Sequence, residues 1–560
     1  MKKFVFLFIS VISIVTTTVA QTTITSINAK NYRIVIPKGY SEYDKKAAEE
    51  LQSLINKSLN IIIPIESEQY TTKSFNIYIG ETLASKGIKE LLKIRNDGFL
   101  IKDLANNNNL VILGKSKKSS YYGVLSFAET FLGTEYLTPS NLYISKRNEI
   151  KVPTNYTFLS NPDFVLRDIH NNLSNKEFEA DKYQITYFYR EPNDWGLVGH
   201  TFFKLIPKEK YLVKNPEFYS LVDDKRTASQ LCLSNTGLRK EIVNNLKKLI
   251  SQHPKKTHWM VGQEDVGKFC TCNDCKANYK KFGGESGLLI DFMNSISNNF
   301  REYTIGTFAY HETIAPPRNI KPNRNVLICY APIQTFKGES ILSKKNEKYA
   351  QYLRQWSNLT SNLMIWEYIG NYSNSMKPYP IIDSFQPNLL LYKKLNIHYF
   401  FGEDNNIPGI SEFKELKTYL LSRLLWDSSA NVDSLIFSFC NKFYGNSSKY
   451  ILEYISKINE KSKSDNIRFF EGTSQYLSLD NLVPLEKILD KALQSAQDEE
   501  IKQRILVLQA SLDYAFINYG RDIHNKEYYK RIERIKKISK QQNLPWMKHN
   551  GKLINVDKLQ

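Results

Sequence analysis

Glu264 and Asp265 are adjacent carboxylates that end the run Thr257-His258-Trp259-Met260-Val261-Gly262-Gln263. The run reads as a buried strand, so the pair sits where a strand stops and a loop begins. Cys270, Cys272 and Cys275 follow in the spacing C-x-C-x2-C. The chain has no G-x-S-x-G elbow, no H-E-x-x-H and no phosphate-binding glycine loop. The usual forms of serine-hydrolase, zincin and nucleotide chemistry are thereby disfavoured. Carboxylates accompanied by aromatics remain, and that combination suits glycoside cleavage. An acetal needs an acid to protonate the leaving oxygen and a nucleophile or base at the oxocarbenium-like carbon. When the sugar carries a 2-acetamido group, that group's oxygen can be the nucleophile. One carboxyl then serves as acid/base and its neighbour orients the amide. Adjacent acids at one strand end, as Glu264 and Asp265 are, suit that arrangement better than acids scattered singly.

Such groups need a frame. Eight candidate strands fall at 164–169, 183–189, 230–234, 258–263, 305–310, 326–330, 363–368 and 397–401, separated by loops and helical patterns. Their number and rhythm predict a (β/α)8 TIM-like barrel over residues 160–409, in which the C-terminal strand ends carry the chemistry. That rim gathers Glu264-Asp265, His311-Glu312, Glu367-Tyr368 and Glu403-Asp404. Trp195, Tyr310, Trp366 and Tyr368 are candidates to stack on pyranose rings. His200 and His311 could polarise a sugar oxygen, and Glu367, Glu403 and Asp404 could bind hydroxyls or act as a second carboxylate. Arg167 is expected to pair with a carboxylate inside the barrel or to meet an acidic sugar.

Residues 22–155 read as a small α/β domain with helical patterns at 44–55 and 119–132, the second stopped by Gly133. Residues 410–560 read as helical, with a basic tail after Gly520 expected to be solvated. Lys2 and Lys3, the apolar run 4–15 and the small residues ending at Ala20 form a secretory leader over residues 1–20. The mature protein is expected to be secreted or periplasmic, with no membrane span. The net charge is +19, but the lysines are dispersed rather than clustered, so no nucleic-acid partner is expected. No cofactor and no catalytic metal is implied. Six cysteines do not make a disulfide scaffold. Cys232, Cys270, Cys272 and Cys275 could form a disulfide, hold zinc or stay as free thiols.

Several stretches together resemble a bacterial uncharacterised-domain family classified as glycoside hydrolase family 163. They are Trp195, Gly199-His200-Thr201, Pro207, Tyr211 and Asn215-Pro216-Glu217-Phe218-Tyr219, then Gln230-Leu231-Cys232-Leu233-Ser234-Asn235 and the cysteine loop, then Leu424-Leu425-Trp426-Asp427 and Phe443-Tyr444-Gly445. The N-terminal domain resembles the accessory domain that precedes the barrel in hexosaminidases and α-glucuronidases. The resemblance implies an endo-β-N-acetylglucosaminidase acting on an oligosaccharide or glycoprotein glycan, with retaining, substrate-assisted cleavage of the N-glycan core. It would place the family's acid pair on Glu264 and Asp265, with Glu264 as general acid/base and Asp265 orienting the acetamido group. The alternatives are an α-glucuronidase-like hydrolase and a non-catalytic glycan-binding protein on a hydrolase scaffold.

Overall fold

The computed structural model describes residues 21–70, 75–104, 109–174, 177–186, 188, 194–470, 472–519 and 525–560. The expected leader, residues 1–20, lies outside them. The chain divides into two compact units, Met1–Glu135 with Ile144–Asn161 and Tyr136–Tyr143 with Pro162–Gln560.

The first unit is built on a six-stranded sheet in the order Thr157–Ser160, Phe99–Asp103, Leu110–Gly114, Phe75–Ile79, Tyr32–Ile36, Ile65–Ser67. The helix Glu42–Leu59 has a physical start and stop. Ser41 and Asp44 exchange hydrogen bonds as a capping box, and Asn60 ends the helix in the left-handed region at φ 58°. Ala47, Ala48, Leu51, Leu54 and Ile55 form its buried stripe.

The second unit contains a curled sheet of seven parallel strands, consistent with a TIM-like barrel. They are β1 (Leu166–His170), β2 (Trp195–Leu197), β3 (His258–Met260), β4 (Thr304–Ala309), β5 (Val326–Tyr330), β6 (Leu363–Tyr368) and β7 (Tyr399–Glu403). Their order is β1-β7-β6-β5-β4-β3-β2. Six of the eight expected strands are present in it. The expected strand at 230–234 instead falls at the end of an antiparallel hairpin, Tyr219–Val222 with Lys225–Leu231, outside the barrel sheet. Asp223 and Asp224 both take positive φ (49° and 58°) in its turn, the geometry of a tight hairpin.

The expected strand at 183–189 is no strand among the described residues. Gln184 has φ 56°, which breaks the extended backbone. The segment still docks along β1. Thr186 N–H donates to Arg167 C=O (3.1 Å), and Phe188 N–H donates to Asp168 Oδ2 (2.6 Å). Residues 187 and 189–193 lie outside the description.

Two clusters show which way each strand faces. Leu166, Trp195, Met260, Phe308, Leu327, Cys329, Met364, Trp366 and Phe401 pack together on the concave side. Trp259, Ile305, Val326, Ile328, Ile365 and Phe400 pack with helices on the other. The alternation is the period of two that a strand imposes. Gly196 is required by it. A Cβ there would collide with the ring of Trp259, which is fully buried on the neighbouring β3.

Beyond β7 the described residues form six α-helices, Lys414–Trp426, Val432–Tyr444, Ser448–Ser462, Leu479–Ser495, Glu499–Tyr519 and Lys526–Gln541, then the hairpin Trp546–His549 with Lys552–Asn555. The described part of the tail is not solvated as expected. Ile532, Ile535, Ile538, Met547, Val556 and Leu559 are buried against Ala510, Tyr514 and Ile517. Its basic character serves burial too: Arg531 and Arg534 both pair with the buried Asp513.

Gly196→Ala should destabilise the protein by about 1–3 kcal/mol through overpacking against Trp259. A thermal melt checks this, and the expected result is a clearly lower Tm with unchanged far-UV circular dichroism.

Candidate active site

The C-terminal ends of the barrel strands enclose a cavity of about 270 Å³. Its floor and near wall come from the inward positions of successive strands: Phe308 on β4 and Tyr310 just after it, Ala331 and Ile333 after β5, Trp366 and Tyr368 on β6, and Glu403 at the end of β7. His200 and Asp265 reach in from loops. Tyr372, Phe469 and Phe470 complete an aromatic side.

Two carboxylates occupy this cavity in unlike surroundings. Asp265 is exposed and accepts a hydrogen bond from the Tyr310 hydroxyl (2.8 Å). His200 Nε2 lies 4.0 Å from the same oxygen, while its Nδ1 bonds to the Gln263 carbonyl. Glu403 is held deeper, with Trp366 Nε1 donating to its Oε2 at 2.7 Å. Burial raises the Glu403 pKa from its ordinary value. The Trp366 hydrogen bond and the charge of Lys548 pull it down, and the charge of Asp265 adds to the rise. Burial first, and then Asp265, also raise the Tyr310 hydroxyl, so it stays a hydrogen-bond donor.

The aromatic side is assembled from distant sequence. Tyr368 and Phe469 have ring centroids 4.5 Å apart, and Tyr372 lies 5.3 Å from Phe469 and 5.6 Å from Phe470. The loop carrying Phe469 is tied down by Lys337 N–H to Ile467 C=O (2.7 Å) and Tyr372 N–H to Phe469 C=O (2.9 Å). The C-terminal hairpin adds Lys548, whose ammonium sits 3.2 Å from the centroid of the Tyr372 ring. The hairpin is fixed there by Ser375, which donates its N–H to Lys548 C=O (3.0 Å) and accepts the Lys548 N–H on Oγ (2.9 Å). These contributions carry no local sequence signature.

Of the residues expected from sequence, His200, Asp265, Tyr310, Trp366, Tyr368 and Glu403 line the cavity. Glu264, Trp195, His311, Glu367 and Asp404 do not. Glu264 Oε1 accepts from the Phe203 N–H (2.8 Å) at the start of the helix Phe202–Leu205, and its backbone is clamped by Gln230. Its carboxylate therefore caps a helix turn rather than joining Asp265. Trp195 packs edge-on against Phe188 (4.6 Å) within the barrel core below the cavity. His311 is exposed, at φ 49°, with its Nδ1 3.0 Å from Gln334 Nε2. Asp404 turns back to accept from the Asn405 N–H (2.7 Å).

Glu367 sits between Trp366 and Tyr368, so the strand points it the opposite way. There it pairs with the buried Lys337 (2.6 Å) and accepts from the Tyr392 hydroxyl (2.9 Å). Arg167, also fully buried, donates to the carbonyls of Gln184, Phe164 and Val165 and faces Trp426. It does not reach the cavity.

Carboxylates of unlike environment thus lie under an aromatic wall at the strand ends of this sheet. Comparison with known structures agrees on the fold. A family GH115 4-O-methyl-α-glucuronidase, BtGH115A, with specificity for decorated arabinogalactans, superposes with TM-score 0.56 at 10% identity, over 93% of this chain and 77% of its own. CpGH89 from Clostridium perfringens, in complex with its substrate GlcNAc-α-1,4-galactose, superposes with TM-score 0.51 at 11% identity, over 89% and 64%. Residues 18–127 match the glycosyl hydrolase family 67 N-terminus. Residues 136–456, more than half of the chain, match a domain of unknown function, DUF4838, and the chain belongs to that family. Among curated proteins none matches it by sequence.

The outward Glu367–Lys337 pair generates a prediction about stability. Glu367→Gln strands a buried ammonium and should cost about 3–5 kcal/mol. The double variant Glu367→Leu/Lys337→Met should recover much of that loss. Chemical denaturation of both, beside wild type, checks it.

Proposed function

We propose that the protein is a retaining glycoside hydrolase acting on the β-N-acetylglucosaminide linkage of an N-glycan core, with help from the substrate's own 2-acetamido group. The resemblance to glycoside hydrolase family 163, and export through residues 1–20, belong to this proposal. The observation that carries it is the pair Asp265 and Glu403 in one aromatic-walled cavity, one exposed and bonded to a tyrosine, the other half-buried with its pKa raised. Two carboxyls whose environments push them apart divide the acid and charge-stabilising roles.

In this reading Glu403 gives its proton to the glycosidic oxygen as the C1–O bond breaks. The acetamido carbonyl oxygen bonds to C1 on the opposite face and forms an oxazolinium. Asp265 accepts the acetamido N–H and faces the positive charge that develops there. The Tyr310 hydroxyl, now on Asp265, is placed to donate to the acetamido oxygen instead. Water then attacks C1 as the oxazolinium C1–O bond breaks and the acetamido group is restored, and the water loses its proton to Glu403, which is ready for a second turnover. The acid role thus moves from Glu264, where the family resemblance put it, to Glu403.

A second reading, hydrolysis of an α-linked uronoside, is favoured by one observation. His200 lines the cavity and Lys548 lies behind it over the Tyr372 ring, near enough for its charge to act on Glu403, so a sugar carboxylate could find a partner there. None of the described lining residues is an arginine, which leaves that reading second.

Glu403→Gln should lower kcat/KM on a complex N-glycoprotein by about 10²–10⁴-fold. It should lose far less on an aryl glycoside whose leaving group needs no proton. An equal loss on both substrates contradicts the acid role. Asp265→Asn should lose activity on both. Glu264→Gln, which keeps the acceptor for the Phe203 N–H, should change little. Turnover of an aldouronic acid alone would favour the second reading, and binding of glycan without turnover in the wild type would mean a non-catalytic protein.

The pH profile has a defined sign. A general acid must carry its proton, so kcat/KM falls as pH rises through the raised pKa of Glu403. Lys548 holds that pKa down. Lys548→Met should therefore move the basic limb of kcat/KM to higher pH, and Glu403→Gln should abolish it.

A further inference from the structure

Four thiols converge beside the loop that carries Asp265. Cys232 follows the hairpin strand Lys225–Leu231, and Cys270, Cys272 and Cys275 lie on the loop and first turn of the helix Asn273–Phe282. All four sulfurs fall within 4.8 Å of one another. Cys232 Sγ is 3.7 Å from Cys272 Sγ and 3.8 Å from Cys275 Sγ. A disulfide would need about 2.05 Å. A tetrahedral zinc with Zn–S bonds of about 2.3 Å sets its sulfurs about 3.8 Å apart. The two Cys232 separations match an edge of that tetrahedron.

The surroundings suit thiolates. Leu221 N–H donates to Cys270 Sγ at 3.3 Å, and the Arg226 guanidinium lies 3.8 Å from the same sulfur. Cys272 caps the N-terminus of a ten-residue helix, with Cys275 in its first turn. Backbone N–H groups and the positive end of the helix dipole therefore face the cluster. Cys232, Cys270 and Cys275 are buried, Cys272 is half-buried, and no disulfide joins them.

We propose that Cys232, Cys270, Cys272 and Cys275 bind one Zn²⁺ in a closed, four-sulfur structural site. All four positions are filled by protein, so no water or substrate enters the coordination sphere. The ion cross-links the hairpin to the loop that follows Asp265. The hairpin already grips that loop through Gln230, whose Nε2 donates to the carbonyls of Glu264 (2.7 Å) and Val266 (2.6 Å). Zinc thereby makes Asp265 part of a rigid element instead of a free loop. The site stands on its own geometry and holds whether or not the proposed reaction is correct.

The test uses the full chain. Metal content of the purified wild type should be about one zinc per chain, released when an organomercurial titrates four thiols. Replacement by Co²⁺ should give the strong thiolate-to-cobalt charge-transfer absorption of a tetrahedral four-sulfur site. Cys272→Ser, the half-exposed ligand, should retain zinc poorly and lower Tm while still folding. Should that variant fail to fold, the wild-type metal and thiol counts decide alone. A metal-free folded protein overturns the proposal, whether its thiols are free or peptide mapping shows a disulfide among them. So does stoichiometric iron in place of zinc.

Discussion

The alternation of side chains along the parallel strands is the constraint on which the site depends. On β6 it turns Trp366 and Tyr368 toward the cavity and Glu367 toward the covering helices. The two environments do different things to a carboxylate. Glu367 meets a buried ammonium and a tyrosine hydroxyl and becomes a structural pair. Glu403, one strand over and facing inward, meets a Trp366 N–H and the more distant charges of Lys548, His200 and Asp265, and stays open to the cavity. One residue of register would exchange these roles.

Asp265 belongs to a different logic, because it sits past the end of β3 where the strand no longer dictates direction. Its place is set by neighbours in the loop. Glu264 is drawn to the Phe203 N–H, Gln263 reaches Thr313 and the Phe308 carbonyl, and Gln230 clamps the backbone between them. Asp265 is the residue left to face the cavity, where Tyr310 bonds it. Two acids adjacent in sequence thus separate into a cap and a site residue. The acid that joins Asp265 comes from β7, far along the chain.

Much of this was legible in the residue order, and the rest was hidden for physical reasons. Apolar runs ending in acids marked β3, β6 and β7 well. They could not tell inward from outward positions, because strands covered on both faces are apolar throughout and lose the alternating signature. β2 is only three residues long, too short to register as a period. The segment at 230–234 looked like a barrel strand because its apolar content is right; the Asp223-Asp224 turn was the cue that it closes a hairpin. Phe469, Phe470 and Lys548 could not have been found from pattern. They enter the site through a loop and a hairpin whose placement depends on packing of the helical region. The tail looked solvated because its lysines dominate, while its isoleucine stripe carries the burial.

The central claim is that Asp265 and Tyr310 hold an acetamido group while Glu403 waits beside the bond to be broken. Calorimetric binding of a thiazoline that mimics the bicyclic oxazoline intermediate tests it most directly. The account predicts tight binding to wild type, strong weakening in Asp265→Asn and near-wild-type affinity in Glu264→Gln. No binding to wild type, or weakening in Glu264→Gln with none in Asp265→Asn, would contradict it.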